Sequence, residues 1–309
     1  MTAVAGRPAA AEVVWQYWED VPGRARPAYL DLCLETVCRH AGALEVRLLD
    51  FHGVLDWLPD IDPDVWRRLP DPPARSDYAR ARLLDRYGGL WLDIDTIALQ
   101  PLDNLVALLD RAEVVGWGNR DGIMSGCIAA RPGAALLTAW VAAQEEALAA
   151  DWSEAPYAFL SQRPLRPLAA RIGYHAIPEA KVAPVPWYEW RRFMSRIESP
   201  ARVLAARPFV VVLWNAVMGP PLAARSRSRV LEGSMLLSRL MRIALGLSTV
   251  SSESPGLVGL DPLSRLRFSH PGRSAELHVR SLFGEAGARL RRVAPVPDLG
   301  DRSAWRDRC

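Results

Sequence analysis

The chain has 309 residues, half of them apolar, enough to bury a large core in one domain or one domain with additions. A formal net charge of +3 argues neither way about polyanions, but no nucleic-acid module with clustered basic residues is present, so no nucleic-acid partner is expected. The sequence has no run of about 18 apolar residues, no charged-then-apolar leader and no C-x-x-C pair of the kind that holds structural zinc. The expectation is a soluble, cytoplasmic protein whose Cys33, Cys38, Cys127 and Cys309 are free thiols.

In chain order, Val13 to Trp18 reads as a strand and Pro27 to His40 as a helix, with Leu30, Leu34 and Val37 on one face. Leu44 to Leu49 is a second strand, followed from Asp50 to Pro73 by loop and short helix broken by prolines. Ala74 to Tyr87 is a helix that Gly88-Gly89 ends, and Leu90 to Ile94 is a buried strand. A helix over Pro101 to Arg111, strands over Glu113–Trp117 and Met124–Ala130, and helices over Pro132–Ala150 and Ala155–Arg171 follow. A late strand covers Phe209 to Trp214, and an amphipathic helix covers Arg229 to Leu247. Alternating strands and helices predict an α/β sheet. After about Gly246 periodicity fades into STVSSESPG. Residues 1–246 therefore read as one domain and 247–309 as a C-terminal extension, either a small subdomain or a partly disordered tail.

The chemistry concentrates in R75-S-D-Y-A-R-A-R-L-L-D-R-Y-G-G-L-W-L-D-I-D95. Asp93 and Asp95 stand at i and i+2 as an apolar strand exits, where a regular strand would point both the same way. Adjacent carboxylates in a cleft repel unless a cation joins them, and a hard divalent ion with oxygen ligands is the natural partner. A lone D-x-D is more often a cap or a turn; the whole run is what gives the signal. Ser76, Asp77, Arg80, Tyr87, Gly88, Gly89, Trp91, Asp93 and Asp95 resemble the D-x-D sugar-transferase family, the glycosyltransferase family 32-like and capsular-polysaccharide-synthesis type that includes the glucosylating bacterial toxins. Trp91 replaces the usual Tyr.

The resemblance implies a GT-A type nucleotide-binding sheet flanked by helices, a nucleotide-diphosphate sugar donor (a UDP-sugar above all) and Mn2+ or Mg2+. It implies that Asp77 contacts ribose or base, Arg80 the diphosphate, Asp93 the ribose and metal, and Asp95 the metal directly; an ion pair within the helix is the plainer reading of Asp77 and Arg80. V13-V-W-Q-Y-W18 resembles the family's opening strand, making Trp15, Gln16 and Trp18 candidates to hold the base, with core packing the alternative. V211-V-L-W-N215 resembles the stretch that supplies a last ligand. Val212 stands where many relatives have His, which leaves Asn215 as the metal ligand and Trp214 beside the diphosphate. The resemblance covers roughly residues 12 to 220 and implies transfer to a hydroxyl with retention, in capsular or other cell-surface glycan synthesis.

Several weaker features carry two readings each. Asn119, Asp121 and Ser125 either contact the sugar or form a surface loop. Glu189 lies among aromatics in PWYEW190 that would make an acceptor wall, although most of the twelve tryptophans belong in a core. The Arg229–Leu247 helix either packs inward or lies on an anionic membrane, a peripheral contact suiting a lipid-linked acceptor as against a free glycan or small molecule. His52, His175, His270 and His278 lack metal-binding spacing. Two rival functions are a non-catalytic nucleotide-sugar-binding module and a haloacid-dehalogenase-type phosphatase. The phosphatase motif wants Thr at the position of Ile97 and a later lysine, and Lys181 is the only lysine.

Overall fold

The computed structural model describes residues 12–20, 26–150 and 158–247. Strand β1 (Val13–Tyr17) leads to helix α1 (Ala28–His40) and strand β2 (Glu45–Leu49). The proline-broken stretch that follows holds two short helices, α2 (Phe51–Trp57) and α3 (Pro63–Arg68), started by the Asp50 and Asp62 side chains, which accept from backbone N–H groups of Gly53 and Asp64. Helix α4 (Pro72–Tyr87) is capped the same way by Asp71, with proline at its first position and Gly88 at its end. Gly88 has φ 66, and a Cβ there would meet Ala130 O at 2.6 Å, so glycine is required twice over.

Strand β3 (Gly89–Leu92) ends one residue before Asp93, and strand β4 (Thr96–Ala98) begins one residue after Asp95. Helix α5 (Asp103–Val106) continues as a 3-10 turn over Ala107–Asp110. The hairpin β5 (Val114–Asn119) and β6 (Gly122–Ala130) precedes helix α6 (Ala135–Ala149). Helix α7 spans Gln162–Ile172 and is shorter than the sequence-derived helix, whose expected start at Ala155 lies outside the described residues. Strand β7 (His175–Pro178), a 3-10 helix over Trp187–Met194, helix α8 (Pro200–Leu204) and strand β8 (Val210–Val212) come next. Helix α9 (Asn215–Leu222) follows, and the expected Arg229–Leu247 helix is two helices, α10 (Arg227–Leu231) and α11 (Leu236–Ala244), broken at Gly233.

The main sheet is mixed, in the order β2-β1-β3-β6-β5-β7, with β6 antiparallel to both neighbours and the other pairings parallel. A second sheet pairs β4 with β8 antiparallel. The expected α/β class is therefore correct. Alternation along β1 sends Val13, Trp15 and Tyr17 into a core with α4, α6 and α7, and Val14 into a core on the other face with Val37 of α1, Ala98 of β4 and Val210 of β8. Both strands are buried along their whole length, on both faces, which explains why β1 and β3 are apolar apart from Gln16. Among the described residues no helix is long and apolar enough to cross a membrane.

The apolar face of α11 is not available to a membrane. Leu236, Leu237, Leu240 and Met241 are buried, and Arg242 is buried too, donating to Leu231 O and Gly233 O. The inward-packing alternative is the observed one, because α11 closes the core shared with Tyr29, Leu30 and Val211. Cys33 and Cys127 are free, buried thiols, whereas Cys38, partly buried against the same cluster as Cys33, is disulfide-bonded and not the free thiol expected; Cys309 lies outside the described residues.

Candidate active site

Asp93 and Asp95 do not share a strand. They sit in the turn that carries the chain from the main sheet into the small one. Asp93 remains tied to the first, its N–H donating to Gly126 O at 3.0 Å. Asp95 is tied to the second: Leu213 N–H donates to its carbonyl at 2.9 Å and Asn215 N–H to its Oδ2 at 2.5 Å. The pair therefore marks the seam between two sheets, a stiffer frame than one strand end.

Helix α4 reaches this turn from one side. Arg80, buried, donates to Asp93 Oδ1 at 2.7 Å and to Ser76 Oγ at 3.2 Å, and pairs with Asp77 Oδ1 at 3.2 Å. Its guanidinium lies over the Trp91 ring at 4.7 Å, and Trp91 Nε1–H donates to the same Asp93 oxygen at 3.0 Å. The helical Asp77–Arg80 pair thus exists, and Arg80 extends it to Asp93. Burial pushes the Asp77 carboxyl up to about 6, against the pull of Arg80 and of a hydrogen bond from Ser161. Burial, and then repulsion from Asp93, raises Asp95, offset in part by the Asn215 N–H.

The opening strand splits the three base-binding candidates. Trp15 is fully buried, its Nε1–H donating to Gly88 O at 2.8 Å and its ring packed edge-on to Trp57, so it cannot stack on a base; period-two alternation turns it into the helical core. Gln16 faces the turn, with Nε2–H donating to Asp93 O at 3.4 Å, and is buried beneath it. Trp18 is half-buried at the strand exit, its Nε1–H on Asp20 Oδ1 at 3.0 Å.

On the far side, Trp214 has φ 60 and ψ 61, left-handed backbone that a tryptophan rarely adopts. This kink starts α9 and aims the Asn215 N–H at Asp95. Trp214 Nε1–H donates to Val185 O at 2.8 Å, and its ring packs on Trp117 at 5.4 Å. Asn215 Oδ1 accepts from the Tyr29 hydroxyl of α1. Asn119 and Asp121 form the β5–β6 turn, Asn119 Oδ1 accepting from Asp121 N–H at 2.9 Å, so they hold a loop. Ser125 is buried and accepts from Gln162 Nε2–H at 3.0 Å.

Sequence reasoning missed Tyr29, Trp117, Gly126, Gln144, Ser161 and Gln162. Gly126 lies under Asp93: a Cβ would stand 2.6 Å from Asp93 Oδ2. Gln144 of α6, fully buried, donates to Asp77 O at 2.9 Å and Leu160 O at 2.7 Å, and so holds the Ser161 loop against α4. Only Gly126 had a local signal, the small-residue run S125-G-C127. As for a cation, no group of three or more His, Cys, Asp or Glu among the described residues forms a metal cluster. The donor set at the turn is two carboxylates and the Asn215 amide oxygen, all hard, and the two carboxylates repel each other; both features fit a hard divalent ion.

The fold and the site define an α/β protein with an acidic pair braced by an arginine where two sheets meet. Residues 45–110 match the family described as the glycosyltransferase sugar-binding region containing a DXD motif. The matched stretch spans Asp77, Arg80, Asp93 and Asp95, but not Trp18, Trp214 or Asn215. Lactosylceramide 4-alpha-galactosyltransferase of Rattus norvegicus is 27% identical over 168 residues, 50% of this chain and 45% of that protein. The Homo sapiens protein of the same name is 26% identical over 154 residues, 46% and 42% respectively. The chain thus matches less than half the length of either relative. Among solved structures, the galactosyltransferase LgtC with donor and acceptor sugar analogs superposes with a TM-score of 0.41 at 15% identity, covering 77% of this chain and 97% of that one. The glycosyltransferase GlyE of Streptococcus pneumoniae TIGR4 gives 0.37 at 13% identity, covering 78% and 66%.

Proposed function

We propose that this chain is a metal-dependent glycosyltransferase of the GT-A type that moves a sugar from a nucleotide-diphosphate donor, a UDP-sugar first among the candidates, to an acceptor hydroxyl. The observation that carries it is the continuous link Asp77–Arg80–Asp93 facing Asp95, the latter held by Asn215, at the seam of the two sheets. Asp93, Asp95 and Asn215 would hold Mn2+ or Mg2+, which when bound supplies positive charge for a leaving diphosphate. Arg80 holds Asp93 in place. Asp77, beside it, accepts hydroxyls of the donor, and Gln16 fixes the backbone of the turn. Trp18 and Trp214 flank the cleft as faces for the base and the diphosphate. In the reaction the bond from the anomeric carbon to the diphosphate oxygen breaks, the acceptor oxygen takes that carbon, and the acceptor proton leaves to a base; the family resemblance favours retention of configuration. A product in capsular or other cell-surface glycan, made in the cytoplasm, is the biological setting that the resemblance suggests.

The test is release of nucleoside diphosphate from a panel of UDP- and GDP-sugars with Mn2+ or with EDTA. Release from one donor that EDTA abolishes and that Asp95→Asn lowers by at least about 100-fold, with thermal unfolding unchanged, supports the proposal. Full activity of Asp95→Ala would remove the metal assignment, and donor binding without cleavage would make the chain a binding module.

A further inference from the structure

Building on the transferase reading, we propose that Trp187 and Tyr188 form a stacking platform for a saccharide acceptor, which makes the acceptor of this chain a glycan. Trp187 is 36% and Tyr188 54% exposed, and no other described tryptophan is exposed. Their rings meet edge to face, 5.9 Å apart at 84°. Two large aromatic faces left in water cost free energy unless a ligand covers them.

Their place in the fold selects the ligand. Residues 181–185 run beside β8 in the same direction: Phe209 N–H donates to Lys181 O at 2.9 Å, Val212 N–H to Val182 O at 3.1 Å, and Trp214 Nε1–H to Val185 O at 2.8 Å. The chain therefore emerges at Pro186 on the end of β8 where Trp214, Asn215 and Asp95 lie. Trp187 follows two residues after Val185, whose carbonyl holds the Trp214 indole, which puts the platform on the Trp214 side of the acidic turn. Its base is rigid. Phe193 of the same 3-10 helix is fully buried, Leu236 N–H donates to Ser195 O at 2.7 Å, and Arg192 joins Glu189 at 2.8 Å to Glu198 at 2.5 Å.

A pyranose ring offers an apolar C–H face to an aromatic ring and hydroxyls around its edge. Glu189 follows the two aromatics in the chain and, 43% exposed and paired with Arg192, retains acceptor capacity for such hydroxyls.

The experiment compares wild type, Trp187→Ala/Tyr188→Ala and Trp187→Phe/Tyr188→Phe. Direct binding is read by saturation-transfer NMR with free di- and tetrasaccharides ending in glucose, galactose, mannose or N-acetylglucosamine. Acceptor KM, kcat and cleavage of donor by water are read alongside, as is sedimentation with phosphatidylglycerol–phosphatidylcholine vesicles. The alanine pair is expected to weaken saccharide binding and raise acceptor KM about tenfold or more, with kcat and water cleavage unchanged and the phenylalanine pair close to wild type. The proposal is overturned if wild type binds no saccharide of the panel, if binding and KM are unchanged in the alanine pair, or if the alanine pair loses only vesicle binding. If no donor is cleaved by wild type the transferase reading fails, and the NMR arm still decides whether the platform binds sugar.

Discussion

Asp77 sits where burial and charge pairing pull in opposite directions, and burial wins. Its carboxyl ionises at an ordinary 3.8 when unfolded and at about 6 in the folded chain. Between those values the folded state keeps a proton that the unfolded state has released, so stability falls as pH rises through that window. The loss should be about 3 kcal/mol, and urea unfolding of the ligand-free chain from pH 4 to 6.5 measures it. In Asp77→Asn this part of the pH dependence should vanish; an unchanged profile would assign the decline to another group. Gly126 is the second decisive residue. Its φ is ordinary, so Gly126→Ala adds no backbone strain, but the new methyl must displace Asp93 Oδ2. Donor cleavage should fall about 100-fold, the scale of a misplacement of about 1 Å, while circular dichroism stays that of the wild type.

Among the elements, α4 matters most, because it carries Asp77 and Arg80 and is fastened at both ends, by its Asp71 cap and by Gly88. Its lateral fastening is Gln144, whose amide spans α4, α6 and the loop before α7, with Arg82 Nη1–H donating to Gln144 Oε1 at 2.6 Å. Gln144→Met keeps the volume and removes every hydrogen bond. Leu160 O keeps its hydrogen bond from Trp140 Nε1–H at 2.8 Å and Asp77 O stays within the ladder of α4, so the cost should be about 1–2 kcal/mol, read as a lower urea midpoint at constant slope. Helix α11 rests chiefly on its apolar face, with Arg242 on Leu231 O and Gly233 O beside it. Leu240→Ala should cost about 2–5 kcal/mol and leave donor affinity per folded molecule unchanged.

At the scale of the whole molecule, the turn of Asp93 and Asp95 joins two sheets with separate cores on their outer sides. A donor and a cation bound there would bridge the β3 and β8 halves and favour the folded state by mass action. Nucleoside diphosphate with Mn2+ at about 100 times the dissociation constant should raise the melting temperature by roughly 5 °C. EDTA should abolish the shift, as should Asp95→Asn. A shift that survives EDTA would mean that binding does not need the ion.

The sequence by itself determined the α/β class, the positions of most strands and helices, and the pairing of an S-D-x-x-R helix with a D-x-D turn. Those signals are local: caps, glycine stops, apolar runs and the spacing of charged side chains. What tertiary structure decided involves partners distant in sequence. Trp15 belongs to the core because alternation along β1 faces it toward α4 and α6, and no feature of V-V-W-Q-Y-W says which face is which. Strand β7 and helix α9 stayed hidden, the first because four residues with a proline carry no period, the second because Pro220 and Pro221 look like helix breakers. Tyr29 lies 186 residues from the Asn215 it contacts, and Gln144 lies 67 from Asp77. Contacts of that reach are fixed by how layers stack, which depends on the whole chain at once, and so the residues that brace the acidic pair became visible only in the folded molecule.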